Sequence, residues 1–452
     1  MPLPDHDTGS EARALALDAA DALRHTRDWF DIPPASCVSG RSADTAPAVY
    51  FTGNSLGCRP KAVAAAMADE LDDWARLGVE GHLHGRHPWL PAHEALREPA
   101  ARLVGALPRE VVVMNSLTVN LHLLMVSFYR PTRERFKIII EETAFPSDSY
   151  AVASQARFHA ASAGFDPGAA VVRLRPRDGE ATLRTADALE AIDRHAQSLA
   201  LVMLGGVNYL TGQWFDMPTI TAAAKRAGAV AGWDLAHAAG NVPMKLHDWD
   251  ADFAAWCSYK YLNSGPGALA GAFVHERHVG RDDLPQFAGW WGNDPASRFK
   301  MGPGFSPVHS ADRWQLSNPP IFSMVPVRVS LNIFDQVGMP ALREKSLRLT
   351  AYLEERIDAL PKDAAGQPLV TILTPRNPAE RGSALSLVFR AGAKAAMDAL
   401  RQAGVVCDFR EPDVIRAAPV PLYNTFHDCW RFAQVLAASL GTPSAHGSGA
   451  KC

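Results

Sequence analysis

The sequence predicts an α/β protein, with a large domain built on a mostly parallel, seven-stranded-type sheet between helices and a smaller α+β domain beside it. Three observations predict this. Short apolar runs alternate with amphipathic ones through the middle of the chain. The pattern changes after about Ile321. The 452 residues suffice for about three folding units, or for one large and one small domain.

Pro60 opens a helical pattern with Val63, Met67, Leu71 and Trp74 on one face, and Gly78 closes it. VVVM at 111–114 reads as a buried strand, and LTVNLHLLMVSFY at 117–129 as a mostly buried helix. FKIII at 136–140 is the next strand, SYAVASQARFHA a helix, and VVRL at 171–174 a strand again. ALVML at 200–204, AVAGW at 229–233 and DFAAWCS at 252–258 continue the series, with helical MPTITAAAKRAG at 217–228. Apolar strands separated by amphipathic helices argue for a sheet covered on both faces.

Beyond Ile321 a helical region runs to about Leu360. Strands follow near VTIL, ALSLVF, VVCDF and VIRAAP, with a helix at AKAAMDALRQAG. The expected organisation is an N-terminal arm belonging partly to the small domain (1–55), a large domain (56–325), a small α+β domain (326–440) and a flexible tail (441–452).

Composition excludes several classes. Lys plus Arg is 45 and Asp plus Glu 48, giving a net charge of −3. No electrostatic field draws this chain to nucleic acid or an anionic membrane. Apolar residues are 47%, as in an ordinary globular protein. The six cysteines, Cys37, Cys58, Cys257, Cys407, Cys429 and Cys452, contain no Cys-x-x-Cys pair and make no disulfide framework. The polar start MPLPDHDTGSEAR lacks a signal core, and no run approaches a membrane span. The expectation is a soluble, cytoplasmic protein of enzyme size.

The strongest chemical signal is Asp234 and Lys260. Each lies just beyond an apolar strand, and consecutive strand ends of a parallel sheet converge where ligands sit. Any single Asp/Lys pair is more often a structural ion pair. Here Lys260 stands among Trp256, Tyr259, Tyr261, Gly265 and Gly267. Schiff-base chemistry with pyridoxal phosphate needs such a lysine, plus a carboxylate on the pyridine nitrogen. Asn115, Ser116 and Thr118 mark a strand-to-helix junction, which is either an anion cradle or an ordinary Ser116 cap. Gly205, Gly206 and Gly212 do not match a dinucleotide fingerprint and read as turn residues. GHLHGRHPWLPAH offers His82, His84, His87 and His93, but no second ligand group accompanies them, and no metal is expected. Arg416, the charge within VIRAAP, suits either a structural partner or a carboxylate ligand.

An ordered set of segments then resembles one family. GNSLG at 53–57, MNSLTVNLHLLMVSFYRP at 114–131, FPSDSYAVASQ at 145–155, DLAHAAGNV at 234–242, WCSYKYLNSGPG at 256–267, SNPP at 317–320 and APVPLYNTFHD at 418–428 are together similar to kynureninase, from about Phe51 to Asp428. The resemblance implies a fold-type-I, pyridoxal-5′-phosphate-dependent homodimer with active sites shared between subunits. It implies hydrolytic Cβ–Cγ cleavage of L-kynurenine, 3-hydroxy-L-kynurenine or both, to L-alanine and the anthranilate, in tryptophan catabolism or NAD biosynthesis. By position it makes Lys260 the Schiff-base lysine, Asp234 the pyridine partner, His237 a cofactor support, and Phe145 the stacking ring with Asp148 beside it. Leu117, Thr118, Tyr259, Trp290 and Asn318 match the phosphate site, the last two from the neighbouring subunit. Arg416 matches the anchor of the α-carboxylate, and His82, Ser55, Ser317 and Asn318 match positions near the aryl end. Tyr259, which adjoins Lys260, is the candidate for proton transfer if local cations acidify its phenol; its alternative role is only a hydrogen bond to the phosphate. Two positions depart from the family pattern: Gly205 replaces a usual Ser or Thr, and Gln315 stands where some relatives carry Arg. The competing readings are a cysteine desulfurase-like lyase, which needs a mobile nucleophilic cysteine, and a non-catalytic cofactor-binding regulator.

Overall fold

The computed structural model describes residues 9–40 and 45–441. The expected tail at 441–452 falls, after its first residue, outside the described residues. The chain forms two compact units: Pro60–Tyr209 with Gln213–Met339, and the remainder, which joins the N-terminal segment up to Arg59, Leu210–Gly212 and the chain from Pro340.

The large unit is built on seven strands. They are β1 (Val111–Met114), β2 (Lys137–Glu141), β3 (Val171–Leu174), β4 (Leu199–Gly205), β5 (Val230–Asp234), β6 (Phe253–Trp256) and β7 (Ala270–Val274). Their order across the sheet is β1-β7-β6-β5-β4-β2-β3. The β6–β5–β4–β2–β3 pairings are parallel, while β7 is antiparallel to both β6 and β1. The sheet is therefore mixed, with one reversed strand. That strand was not predicted, because Ala270–Val274 is poor in β-branched residues and buried along its whole length. Gly271 suits the place: a Cβ there would come within 2.1 Å of the Trp256 ring. The strand gives up a side chain so that an indole can lie across it.

Three helices of this unit matter for the site: α1 (Ala62–Leu77), α2 (Leu117–Phe128) and α3 (Pro146–Ala163). The core beneath α2 joins Leu121, Leu124, Met125 and Phe128 to Ile138, Ile140, Phe253 and Ala272 from the sheet. α4 (Ile321–Val337) packs on α1. The chain thus stays in the large unit to Met339, past the expected boundary at 326. On α1 the apolar stripe faces outward, with Leu71 50% and Trp74 58% exposed. The buried side chains there are Glu70 and Asp73.

The small unit carries a four-stranded antiparallel sheet of β8 (Val370–Ile372), β9 (Leu385–Phe389), β10 (Asp408–Arg410) and β11 (Val414–Ala417), in the order β8-β9-β11-β10. VVCDF is broken: Val405 and Val406 pair in parallel with Val49 and Tyr50 instead. Helices Met339–Asp358, Ala393–Gln402 and Phe426–Gly441 cover the sheet, and the N-terminal helix Glu11–Ala19 joins the last of these. Its Asp18 accepts the backbone N–H groups of Phe426 and His427. Nearby, the buried Lys345 and Asp21 pair at 2.7 Å.

Candidate active site

β5 ends at Asp234, and the loop after β6 carries Tyr259 and Lys260, so the same edge of the sheet presents acid and amine. Asp234 is buried, and its Oδ1 accepts the Ala236 N–H at 2.6 Å. Asp148, in the first turn of α3, is also buried and hydrogen-bonds to Asp234. Burial, then the charges of Asp234 and Glu141, push the Asp148 carboxyl well above the usual range. Burial also raises Asp234, against the Asp148 hydrogen bond and the Ala236 N–H. Their mutual hydrogen bond raises Asp148 and lowers Asp234, so Asp148 is the more readily protonated of the pair.

Lys260 Nζ lies 3.0 Å from His237 Nε2 and 5.8 Å from the centroid of the Phe145 ring. Phe145 is 43% exposed and meets Tyr209 edge to face. A half-exposed ring beside the amine and the acids offers a stacking face for a planar ligand.

The strand-to-helix junction read as a candidate anion cradle lies at the start of α2. Ser116, its N-cap, makes no side-chain cap bond, and Asn115 takes a left-handed φ of 49°. Ser116 therefore does not cap α2 through its side chain. The first N–H groups of α2, at Leu117 and Thr118, face outward from the helix start. Thr118 Oγ1 and Ser147 Oγ stand 2.8 Å apart. Sequence reasoning missed Ser147, although it lies inside the quoted FPSD segment. It also missed Glu141, a charge closing the apolar strand β2. Glu141 is fully enclosed and its carboxyl is pushed up to about 7, by burial first and by Asp234. Its oxygens accept the Gly205 N–H at 3.2 and 3.4 Å. A Cβ on Gly205 would lie 3.0 Å from Glu141 Oε1. The missing hydroxyl at Gly205 is thus accompanied by a carboxyl in the adjoining space.

Other expected residues stand elsewhere or behave differently. The Tyr259 phenol is pushed up, by burial first, then by the Cys257 thiol and Asp234, so the expected acidification by local cations is corrected. Trp290 bonds to the Arg298 carbonyl at 3.1 Å and packs on Trp291 and Phe299. Ser317 and Asn318 are exposed ahead of α4. Gln315 is buried and donates to Asp312 at 2.9 Å, so it serves the interior there. His82 meets Trp89 edge to face. His93 is buried against Trp291 and held neutral, its pKa lowered to about 3 by burial and by Arg97. In the small unit, Arg416 is buried and paired with Asp408, so the structural partner exists. Ser55 lines a cavity of about 310 Å³ there, with Tyr50, Thr52, Leu56, Cys407, Asp408, Phe409 and Arg410.

A buried carboxylate at a strand end, an amine beside it, an exposed ring and an uncapped helix start form a set that fits pyridoxal phosphate: pyridine nitrogen, aldehyde, ring face and phosphate each have a counterpart. The fold agrees. The chain superimposes on a cysteine desulfurase from Escherichia coli with a TM-score of 0.71, at 18% identity, over 92% of this chain and 98% of that one. A C-DES variant with glycine covalently linked to its PLP cofactor gives 0.69 at 16% identity, over 89% and 99%. At these identities the likeness shows a shared fold. Sequence defines the family. The kynureninase C-terminal domain profile matches residues 342–436. The kynureninase of Myxococcus xanthus is 59% identical over 94% of this chain and 96% of its own. That of Salinispora tropica is 58% identical over 95% and 97%, and that of Nematostella vectensis 47% over 96% and 95%. The chain belongs to the kynureninase family.

Proposed function

We propose that this protein is a pyridoxal-phosphate-dependent hydrolase that cleaves the Cβ–Cγ bond of L-kynurenine, 3-hydroxy-L-kynurenine or both, releasing L-alanine and the anthranilate. The carrying observation is the convergence of Asp234, Asp148, His237, Lys260 and Phe145 on one sheet edge in a chain of this family. Bound pyridoxal phosphate supplies a covalent anchor for the substrate amine and an electron sink for its carbons.

Asp234 would face the pyridine nitrogen of the cofactor and favour a proton there, and Asp148, hydrogen-bonded to Asp234, would orient it. Lys260 would be the residue that holds the cofactor, and its Nζ, with His237 Nε2 at 3.0 Å, would be the base that takes and returns the substrate's α-proton. Leu117, Thr118 and Ser147 hold the phosphate at the start of α2, together with Tyr259, whose raised pKa keeps it a hydrogen-bond donor. The same phenol supplies a proton during water addition to the γ-carbonyl and collapse of the hydrate. Arg416, poised by Asp408, takes the α-carboxylate. His82, Ser55, Ser317 and Asn318 orient the aryl amine and ketone.

A homodimer completes the reading. Leu71 and Trp74 on α1, with Phe322 against Trp74, form one exposed apolar face. Trp290, Phe299 and Met301 form another. Both are what a second copy would cover, and Trp290 and Asn318 are then available to a neighbour's phosphate site. The cytoplasm is the proposed compartment: the five described cysteines are free, and among the described residues no helix is long and apolar enough to cross a membrane.

The desulfurase reading fails on its nucleophile. Cys407 and Cys429 are buried, and burial pushes the Cys407 thiol up to about 12. Holoenzyme mixed with L-kynurenine is expected to produce anthranilate fluorescence. A yellow holoenzyme that forms none from either substrate rejects the assignment in favour of a non-catalytic cofactor binder. The ratio of catalytic efficiencies on the two substrates sets the preference.

A further inference from the structure

A second constellation lies at the other edge of the large sheet. Glu110 precedes β1, and His275 follows β7, which runs antiparallel to β1, so both emerge at the edge opposite Lys260. His247 arrives from the loop between β5 and β6. Glu110 is fully buried, while His247 and His275 are 30% and 11% exposed at the side chain.

Glu110 Oε1 lies 2.9 Å from His247 Nδ1 and 3.7 Å from His275 Nδ1. The two imidazoles stack with centroids 5.0 Å apart. Bond lengths of about 2.0–2.2 Å to a tetrahedral zinc put its ligand atoms about 3.3 Å from one another. The two observed separations bracket that value. One oxygen or nitrogen from each of the three residues lies within 4.8 Å of the others.

The surrounding bonds orient these ligands. Glu110 Oε2 accepts the Leu107 N–H at 2.8 Å, and Oε1 also accepts the Glu276 N–H at 2.8 Å. The far nitrogen of His275, Nε2, faces Asp250 Oδ1 at 3.4 Å. A carboxylate behind the far nitrogen of an imidazole is the usual support of a metal-ligating histidine. The cations nearby, Lys225 and Arg277, lie on Asp250, and Arg277 also on Asp252, which His278 meets at 2.7 Å. They neutralise those acids rather than Glu110. A metal at His275 Nδ1 displaces one weak contact, the Arg277 N–H at 3.3 Å.

We propose that Glu110, His247 and His275 bind one divalent transition-metal ion of the zinc class, which ties the ends of β1 and β7 to the loop before β6. His/carboxylate ligands at these separations favour zinc or cobalt over magnesium or calcium, which take oxygen cages. The site is independent of the proposed reaction, and its role is to staple the sheet edge.

Holoenzyme stripped on a chelating resin is titrated with Co²⁺, then Zn²⁺. One Co²⁺ per chain with the visible absorption of a tetrahedral nitrogen/oxygen site, displaced by one Zn²⁺, is the expected result. Zn²⁺ should also raise the unfolding midpoint. His247→Gln keeps a hydrogen bond to Glu110 but offers no imidazole lone pair, and should weaken binding more than about 100-fold. Asp250→Asn, which tolerates the left-handed backbone there (φ 60°), should weaken it about 10- to 100-fold. No binding by the unaltered protein overturns the proposal, as does binding that His247→Gln leaves unchanged.

Discussion

Two groups of buried carboxylates in the large unit differ in how they are answered. On α1, Glu70 holds the Arg328 guanidinium at 3.2 Å and the Trp89 N–H at 3.0 Å, and Asp73 holds Arg76, Arg86 and the Arg86 N–H. Beside the strand ends, Asp148, Asp234 and Glu141 crowd together: Asp234 takes the Ala236 N–H and Glu141 the Gly205 N–H, Lys260 is the cation acting on Asp148 and Asp234, and burial raises all three. Acids met by several donors fasten a helix. Acids crowded together hold protons more readily and favour a cation beside them, which in the proposed reading is a protonated pyridine.

The sharpest way to break this contrast is to remove the amine of the crowded group. Lys260→Ala should lower anthranilate formation at least about 10³-fold, measured by fluorescence under saturating cofactor. Retained turnover would reassign the lysine. The next effect is in pH. The Glu141 carboxyl sits at about 7 in the folded protein, against an ordinary 4.5. Its contribution is therefore fully present below pH 4.5 and is lost as pH rises towards 7, by about 3 kcal/mol. Glu141→Gln should match the unaltered, cofactor-free protein at pH 4.5 and gain on it up to pH 7.5, read as urea midpoints. A constant difference across that range would place the Glu141 proton elsewhere.

The answered group should respond differently. Asp73→Ala strips partners from Arg76, Arg86 and a backbone N–H, and should cost about 2 kcal/mol in urea unfolding while sparing kcat. Asp148→Asn removes a carboxyl that is already protonated. It should change the stability of the cofactor-free protein by less than about 1 kcal/mol, yet shift the pH dependence of the bound cofactor's visible absorption. Equal stability losses in Asp73→Ala and Asp148→Asn would erase the distinction.

Much of this was legible in the sequence, because the strands before Asp234 and Lys260 are apolar runs, the first ending at Asp234 and the second closely followed by Lys260. The anion cradle was half legible: Ser116 could cap α2 or leave it open, and only the backbone shows that it does not cap. Glu141 was hidden because a charge at a strand end reads as a solvated terminus. The reversed β7 was hidden because Gly and Ala carry no strand signal, although the Trp256 ring requires them. The outward stripe on α1 had the periodicity of a core face. Its true burial depends on which neighbours reach Glu70 and Asp73, residues distant in sequence. The cluster at Glu110 left no trace at all, since Glu110 and His247 are 137 positions apart.

The joining of the N-terminal segment with the chain from Pro340 also has a consequence for synthesis. The last helix, Phe426–Gly441, whose first backbone N–H groups Asp18 accepts, is made more than 400 residues after Asp18. At about 5–20 residues per second on the ribosome, the N-terminal helix waits roughly 20–80 s for its partner. During that interval Ala14 and Leu17 stay without the core they join. The large unit, whose last residue is Met339, emerges first and can fold in the meantime. A nascent chain halted between Met339 and Phe426 should therefore expose a protease-sensitive amino-terminal helix beside an already resistant sheet.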